Sequence, residues 1–202
     1  MMLFSTLAFI VIVISAMAIL VFRDWRINTG ALGIQYLAVF ALVALSWPVG
    51  MSVIKLIVGW MASAAIALSC LRQKKPDTST ESNASLIFRG LVGLLMIILI
   101  FLLAPDLQAN FFPRLDLVIV QSGIMLIGMA LVQLGTTSSP YLTIISLLSF
   151  LAGFEVIHAG LELSTLLAGL MVIVNLALAL VGVYFISMEG ELAPAPEEEG
   201  AE

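Results

Sequence analysis

Apolar residues in this 202-residue chain run in long blocks and do not alternate with polar ones. Seven blocks stand out, at roughly 2–22, 27–46, 50–71, 86–104, 117–134, 141–160 and 164–186. A helix needs about 20 apolar residues to cross a bilayer core of about 30 Å, and each block is close to that length. Backbone amides and carbonyls in lipid must be bonded within the segment, which favours helices. The blocks are too long and too evenly apolar for the alternating strands of an outer-membrane barrel. The pattern predicts an all-α, polytopic membrane helix bundle of about seven transmembrane helices, forming a single domain over 1–188.

Polar punctuation sets the boundaries. Phe22-Arg23-Asp24-Trp25-Arg26 separates the first two spans, and Ser46-Trp47-Pro48-Val49-Gly50 the next two. The stretch 72–85, with Lys74, Lys75, Pro76 and Asp77, is the one long polar loop. The stretches Pro105 to Pro113 and Gly135 to Pro140 supply later turns. Around Gly160-Leu161-Glu162-Leu163 the punctuation is weak, and fits either a tight turn or a continuous bent helix. Ala16-Met17-Ala18 resembles a signal-peptide cleavage site. No basic residue precedes the apolar run, however, and the run is longer than a signal core, so it reads as a retained first helix.

Composition agrees with the pattern. The hydrophobic class makes up 62% of the residues and charged residues only 10%, against about 45–50% and about 25% in soluble domains. With a mean hydropathy of +1.19, this excludes a disordered chain, a nucleic-acid binder and a disulfide scaffold. Cys70 is the single cysteine and leaves the redox compartment unread. The net charge of −5 describes mainly a tail, since six of the 13 acidic residues lie in Glu189–Glu202. That 189–202 segment reads as an acidic, disordered, solvated extension. Lysine and arginine counts in short loops set orientation. With the amino terminus outside, Arg23, Arg26, Arg72, Lys74, Lys75 and Arg89 fall on the cytoplasmic side and Arg114 outside. The tail and the loop 72–85 are then cytoplasmic. Trp25 and Trp47 fall at opposite interfaces as an aromatic belt, whereas the deeper Trp60 reads as packing.

Ionisable residues inside spans are rare and usually face a bundle interior or a water path. Lys55 and Glu155 sit well inside the third and sixth spans, each about five residues from the same side, or about 8 Å deep. Equal depth permits a Lys55–Glu155 pair; the alternative is that both snorkel to the interface. Glu155, His158 and Glu162, spaced by three and four, would share one helical face. Such a stripe could pass protons or hold a cation. With two carboxylates and one histidine, a metal site lacks a fourth ligand. The plainer reading of His158 is an interfacial side chain bonded to a loop. Gln35, Gln121, Gln133 and Asn175 read as interhelical glue, and the pairs Gly123/Gly128 and Ala62/Ala65 with Gly59 as packing positions. The ten scattered methionines read as core filling.

Several activities lack the residues they need. The last span has no lysine for a retinal Schiff base, and one histidine cannot ligate a haem on both faces. No G-x-S-x-G, H-E-x-x-H or Gly-rich phosphate loop occurs. The sequence therefore points to no self-contained catalysis, cofactor or metal.

Gly153-Phe154-Glu155-Val156-Ile157 followed by His158-Ala159 resembles the Gly-x-Glu-hydrophobic stretch in the K-type small membrane subunit of respiratory NADH–quinone oxidoreductase. Spans five to seven would correspond to that three-helix subunit. The longer chain resembles the hydrogenase-4 component E group. Arg26-Ile27-Asn28 leading into Ala31-Leu32-Gly33-Ile34-Gln35-Tyr36-Leu37 is similar to that group's arginine loop and glutamine-containing second helix. Lys55 falls where the group has a lysine. The resemblance implies an accessory subunit without redox cofactor, in the cytoplasmic (inner) membrane of a prokaryote, beside larger antiporter-like subunits. Glu155 would take and release protons, with Lys55, His158 and Glu162 as further candidates for the path. Asn175 stands nearest to where the K-type subunit carries a second acid, and where the hydrogenase group often has Glu-Asn-Gly this chain has Glu155-Val156-Ile157. Two other functions compete with this one: a purely structural assembly subunit, and a stand-alone small transporter or channel. Against the last, no repeat relates the first three spans to the last three.

Overall fold

The computed structural model describes residues 2–72, 83–162 and 164–191. Among them are seven helices and no strand: α1 (Met2–Val21), α2 (Trp25–Ser46), α3 (Val49–Arg72), α4 (Asn83–Phe111), α5 (Leu117–Thr136), α6 (Pro140–Leu161) and α7 (Thr165–Glu191). All seven are long and apolar enough to cross a membrane. Most of the predicted loop 72–85 and of the tail 189–202 lies outside the described residues. Arg72 belongs to α3, residues from Asn83 onward belong to α4, and α7 continues past the predicted boundary at 188 as far as Glu191.

Helix boundaries follow local chemistry. Asp24 is extended at the head of α2, and its carboxylate accepts the Arg26 amide at 2.9 Å, as an N-cap does. Trp47 is held extended (φ −113°, ψ 158°) because the following Pro48 disfavours helical backbone before it, and this ends α2. Pro140 occupies the first turn of α6, where its missing N–H costs nothing. The weak break after residue 160 proves to be a turn. Glu162 is extended, and the Ser164 hydroxyl accepts the Leu167 amide at 3.4 Å to start α7.

One boundary differs from expectation. The fourth span was expected to end at 104, with Pro105 opening a turn, yet α4 continues through Pro105 to Phe111. Proline lacks the N–H that would reach back one turn, but a membrane helix tolerates it when neighbours satisfy the freed group. Beyond Pro105 the helix becomes polar. Asn110 donates to the Asp106 carbonyl at 2.9 Å and Gln108 to the Leu115 carbonyl at 3.1 Å. Hydropathy therefore marked the end of the apolar stretch and missed the last two turns.

Helix α6 is central and packs on α2, α5 and α7; α2 also meets α1 and α3, while α4 touches α1 and α5. Of the span in α6, 72% is buried, against 17% in α4 and 22% in α7. The tightest approach joins α5 and α6. A Cβ on Gly153 would collide with the Gly123 carbonyl and Leu126, and one on Gly123 with Ile157 and the Gly153 carbonyl. Gly59 likewise admits the Tyr36 ring, and Gly128 admits Met96. The small positions at 59, 123 and 128 thus do pack helices. Residue Gly182 lies against Ile144, and Ser69 near Val183 and Ser187. This makes α7 antiparallel to α6 and parallel to α3.

Candidate functional site

The starts of α3 and α7 and the end of α6 meet on one side of the bundle. Lys55 lies six residues into α3 and Glu155 six residues before the end of α6, each about 9 Å along its helix. Their side chains close an ion pair, Lys55 Nζ to Glu155 Oε1 at 2.9 Å, with 4% and 2% of the side chains exposed. The pairing that equal depth permitted therefore forms, and neither group snorkels. Separating charges inside a membrane protein is costly, so each stabilises the other's presence there. The second carboxylate oxygen, Oε2, is buried without a hydrogen-bond partner.

Aromatic rings close one flank. The Lys55 ammonium lies 5.5 Å from the Trp47 ring centroid, within cation–π range. Trp47 is 4% exposed and meets the His158 ring edge-on at 6.0 Å. The Phe154 ring stacks with that of His158 at 6.3 Å. Two expectations are corrected here. Trp47 sits at a helix end but points inward, because extended backbone before Pro48 turns it between helices. His158 is buried against two rings, not bonded to a loop, and its Nε2 has no hydrogen-bond partner.

The proposed stripe along α6 is only partly realised. Glu155 and His158 share the buried face, but Glu162 is extended past the helix end and exposed. A spacing of four counts only while the helix lasts, and α6 ends at Leu161. Glu162 remains close enough for its charge to act on His158.

Asn175 lies deeper. Its Oδ1 accepts the Tyr36 hydroxyl at 2.9 Å, linking α7 to α2, and Tyr36 is within electrostatic reach of Glu155. Both residues are ten positions from the helix ends beside the ion pair, or about 15 Å, the middle of the hydrocarbon core. The polar groups Lys55, Glu155, Tyr36 and Asn175 thus descend from one side towards the midplane. Farther along, Ser69 Oγ lies 3.5 Å from Ser187 Oγ. On the near side, a cavity of about 130 Å³ opens between α3 and α7. Its walls are Met51, Ile54 and Lys55 opposite Thr165, Ala168 and Val172.

The other amides divide. Gln133 donates to the Ile19 carbonyl at 3.0 Å and ties α5 to α1, as glue should. Gln35 is fully buried with neither amide atom bonded, and Gln121 is partly exposed. Trp60, expected to be packing, is instead half-exposed on the outer surface and donates to the Gly33 carbonyl at 3.1 Å. Arg89 was counted among loop charges, yet lies inside α4 at 4% exposure. Its position three residues inside the apolar block was the available signal. Tyr36, Trp47 and Phe154 were missed as site residues because aromatic side chains in apolar spans look like packing.

The fold and the enclosed pair define a class: multi-pass helical membrane proteins with an ion pair inside the bundle. Comparison with protein-family models, with curated proteins and with solved structures gave no match.

Proposed function

We propose that this chain is an accessory integral membrane subunit of a proton-translocating oxidoreductase or hydrogenase-like complex, and contributes to a proton path. The observation carrying this reading is the buried Lys55–Glu155 pair at 2.9 Å. Paired ionisable residues inside a membrane mark ion pathways and proton relays among other roles, and each partner's charge biases the other's protonation. The carboxylate has one engaged oxygen and one free, and a cavity between α3 and α7 adjoins Lys55. Tyr36 and Asn175 continue the polar line inward. His158 and Glu162 lie at its outer end. The resemblance of Gly153–Ala159 and of the second helix to subunits of such complexes supports the same reading. It also supports a location in the cytoplasmic membrane of a prokaryote beside antiporter-like subunits.

The test is proton translocation by the assembled complex carrying Glu155→Gln. A severalfold fall with normal assembly is expected. An unchanged rate removes Glu155 from any path.

A second reading, a purely structural assembly subunit, is favoured by one observation. Asn175, an amide that cannot titrate, is held by Tyr36 at the midplane. On that reading, deleting the chain disperses the complex while Glu155→Gln is silent.

A further inference from the structure

Around Lys55, three buried polar atoms have no hydrogen-bond partner: Trp47 Nε1, Glu155 Oε2 and His158 Nε2. Their residues are 4%, 1% and 8% exposed. The side chains that carry them adjoin one another. Glu155 and His158 are three residues apart on α6, neighbours on one helical face. The Trp47 ring meets the His158 ring at 6.0 Å. Lys55 Nζ lies 5.5 Å from the Trp47 centroid and 2.9 Å from Glu155 Oε1, so one lysine contacts both the tryptophan and the carboxylate.

The chemistry of the three atoms points to what binds them. Buried polar groups in native structures bond to protein or to ordered water, and inside a membrane bundle an unbonded one is costly. Trp47 Nε1 can only donate, an ionised Glu155 only accepts, and an unprotonated His158 Nε2 accepts. One donor and two acceptors suit a single water, which has two hydrogens to give and lone pairs to receive. A monatomic ion fits less well, because Lys55 repels a cation and the carboxylate repels an anion. Space adjoins the same lysine, in the cavity of about 130 Å³ between α3 and α7. One water occupies about 30 Å³ in the liquid.

We propose that Trp47, Glu155 and His158 hold one internal water, and that this water carries the proton between Glu155 and His158. The indole N–H donates to the water oxygen, and the two water hydrogens go to Glu155 Oε2 and His158 Nε2. When Glu155 is protonated, its proton passes from Oε2 to the water oxygen while the water gives one of its own to Nε2. The carboxyl group is left anionic, the imidazole becomes cationic, and the water is regenerated. Glu162, exposed just past the end of α6 and within electrostatic reach of His158, stands next outward. The hand-off rests on the proton-path reading, whereas the water site does not.

The test is water-to-protein polarisation transfer in solid-state NMR of the full chain in bilayers, with the indole nitrogens of its three tryptophans labelled. Trp47→Phe assigns the Trp47 signal. Trp60, bonded to the Gly33 carbonyl on the outer surface, is the dry control. Transfer to Trp47 severalfold faster than to Trp60 is expected, and transfer as slow as at Trp60 would overturn the water site. His158→Phe, which keeps a ring against Trp47, should slow that transfer severalfold. His158→Gln, which can bond the water but cannot take its proton, should keep it fast and still lower proton translocation by the assembled complex severalfold. Unaltered translocation in His158→Gln, with a fall in Glu155→Gln, would overturn the hand-off alone. Unaltered translocation in Glu155→Gln would overturn the proton-path reading and the hand-off with it.

Discussion

Glu155 and Lys55 hold each other inside the bundle, and the chain's response to losing either follows from that. Removing one partner of a buried pair leaves a charge without compensation, at a cost of about 3–5 kcal/mol. Lys55→Met should therefore lower the unfolding free energy in detergent by about that amount. The double variant Lys55→Met/Glu155→Leu should recover most of the loss, since an apolar pair of similar volume is often no worse than the ions. A double variant as unstable as the single one would mean that the charges were not what the site was built to balance. The Tyr36–Asn175 bond is a smaller matter. Interhelical hydrogen bonds in membranes average about 0.6 kcal/mol, so Tyr36→Phe should shift stability by about that much, readable in the same unfolding titration.

The residue scale also shows where a single sequence could be read. Lys55 and Glu155 were legible because charge is conspicuous in an apolar run, and their equal depth followed from counting. Glu162 was misplaced because helical spacing was extended one residue beyond the helix. Trp47 and Trp60 lie at the depths expected of them, but Trp47 faces inward and Trp60 outward. Depth along a helix is a property of sequence position, whereas the direction a side chain faces depends on which neighbours surround that helix.

At the scale of elements, small residues and caps decide how helices meet and end. Gly153 and Gly123 let the α5 and α6 backbones approach so closely that a side chain at either has no room. Gly153→Val should separate the pair and destabilise the bundle by about 1–3 kcal/mol, the usual cost of overpacking, whereas Gly30→Ala should be neutral. Comparing the two melting temperatures checks this. The turn between α6 and α7 rests on the Ser164 hydroxyl, and Ser164→Ala should cost about 1 kcal/mol as a lost N-cap. Hydropathy found all seven helices, but it stopped at Pro105 where the helix did not, because it measures affinity for lipid and not backbone hydrogen bonding.

For the whole molecule, the lysine and arginine pattern of the loops predicts an amino terminus outside, and seven crossings would then put the acidic tail in the cytoplasm. A fluorescent protein that folds only in the cytoplasm, fused after residue 202, should light up; fused before residue 1, it should stay dark. The reverse pattern would invert the orientation and put the Lys55–Glu155 end of the bundle on the cytoplasmic side. The sparsely buried α4 and α7 present broad apolar faces outward, suited to lipid or to neighbouring membrane subunits. On the proposed function, an affinity-tagged chain extracted in mild detergent should bring antiporter-like subunits with it.

Fold class, helix number and the placing of Lys55 and Glu155 inside spans were determined by sequence alone, because transfer of a segment into lipid is a sum over its own residues. Which groups touch was decided only by the tertiary structure. The Lys55–Glu155 contact, the inward turn of Trp47, the burial of His158 and the Tyr36–Asn175 bond each depend on how far every helix is rotated about its axis. That rotation is set by packing between helices distant in sequence, of which hydropathy carries no record.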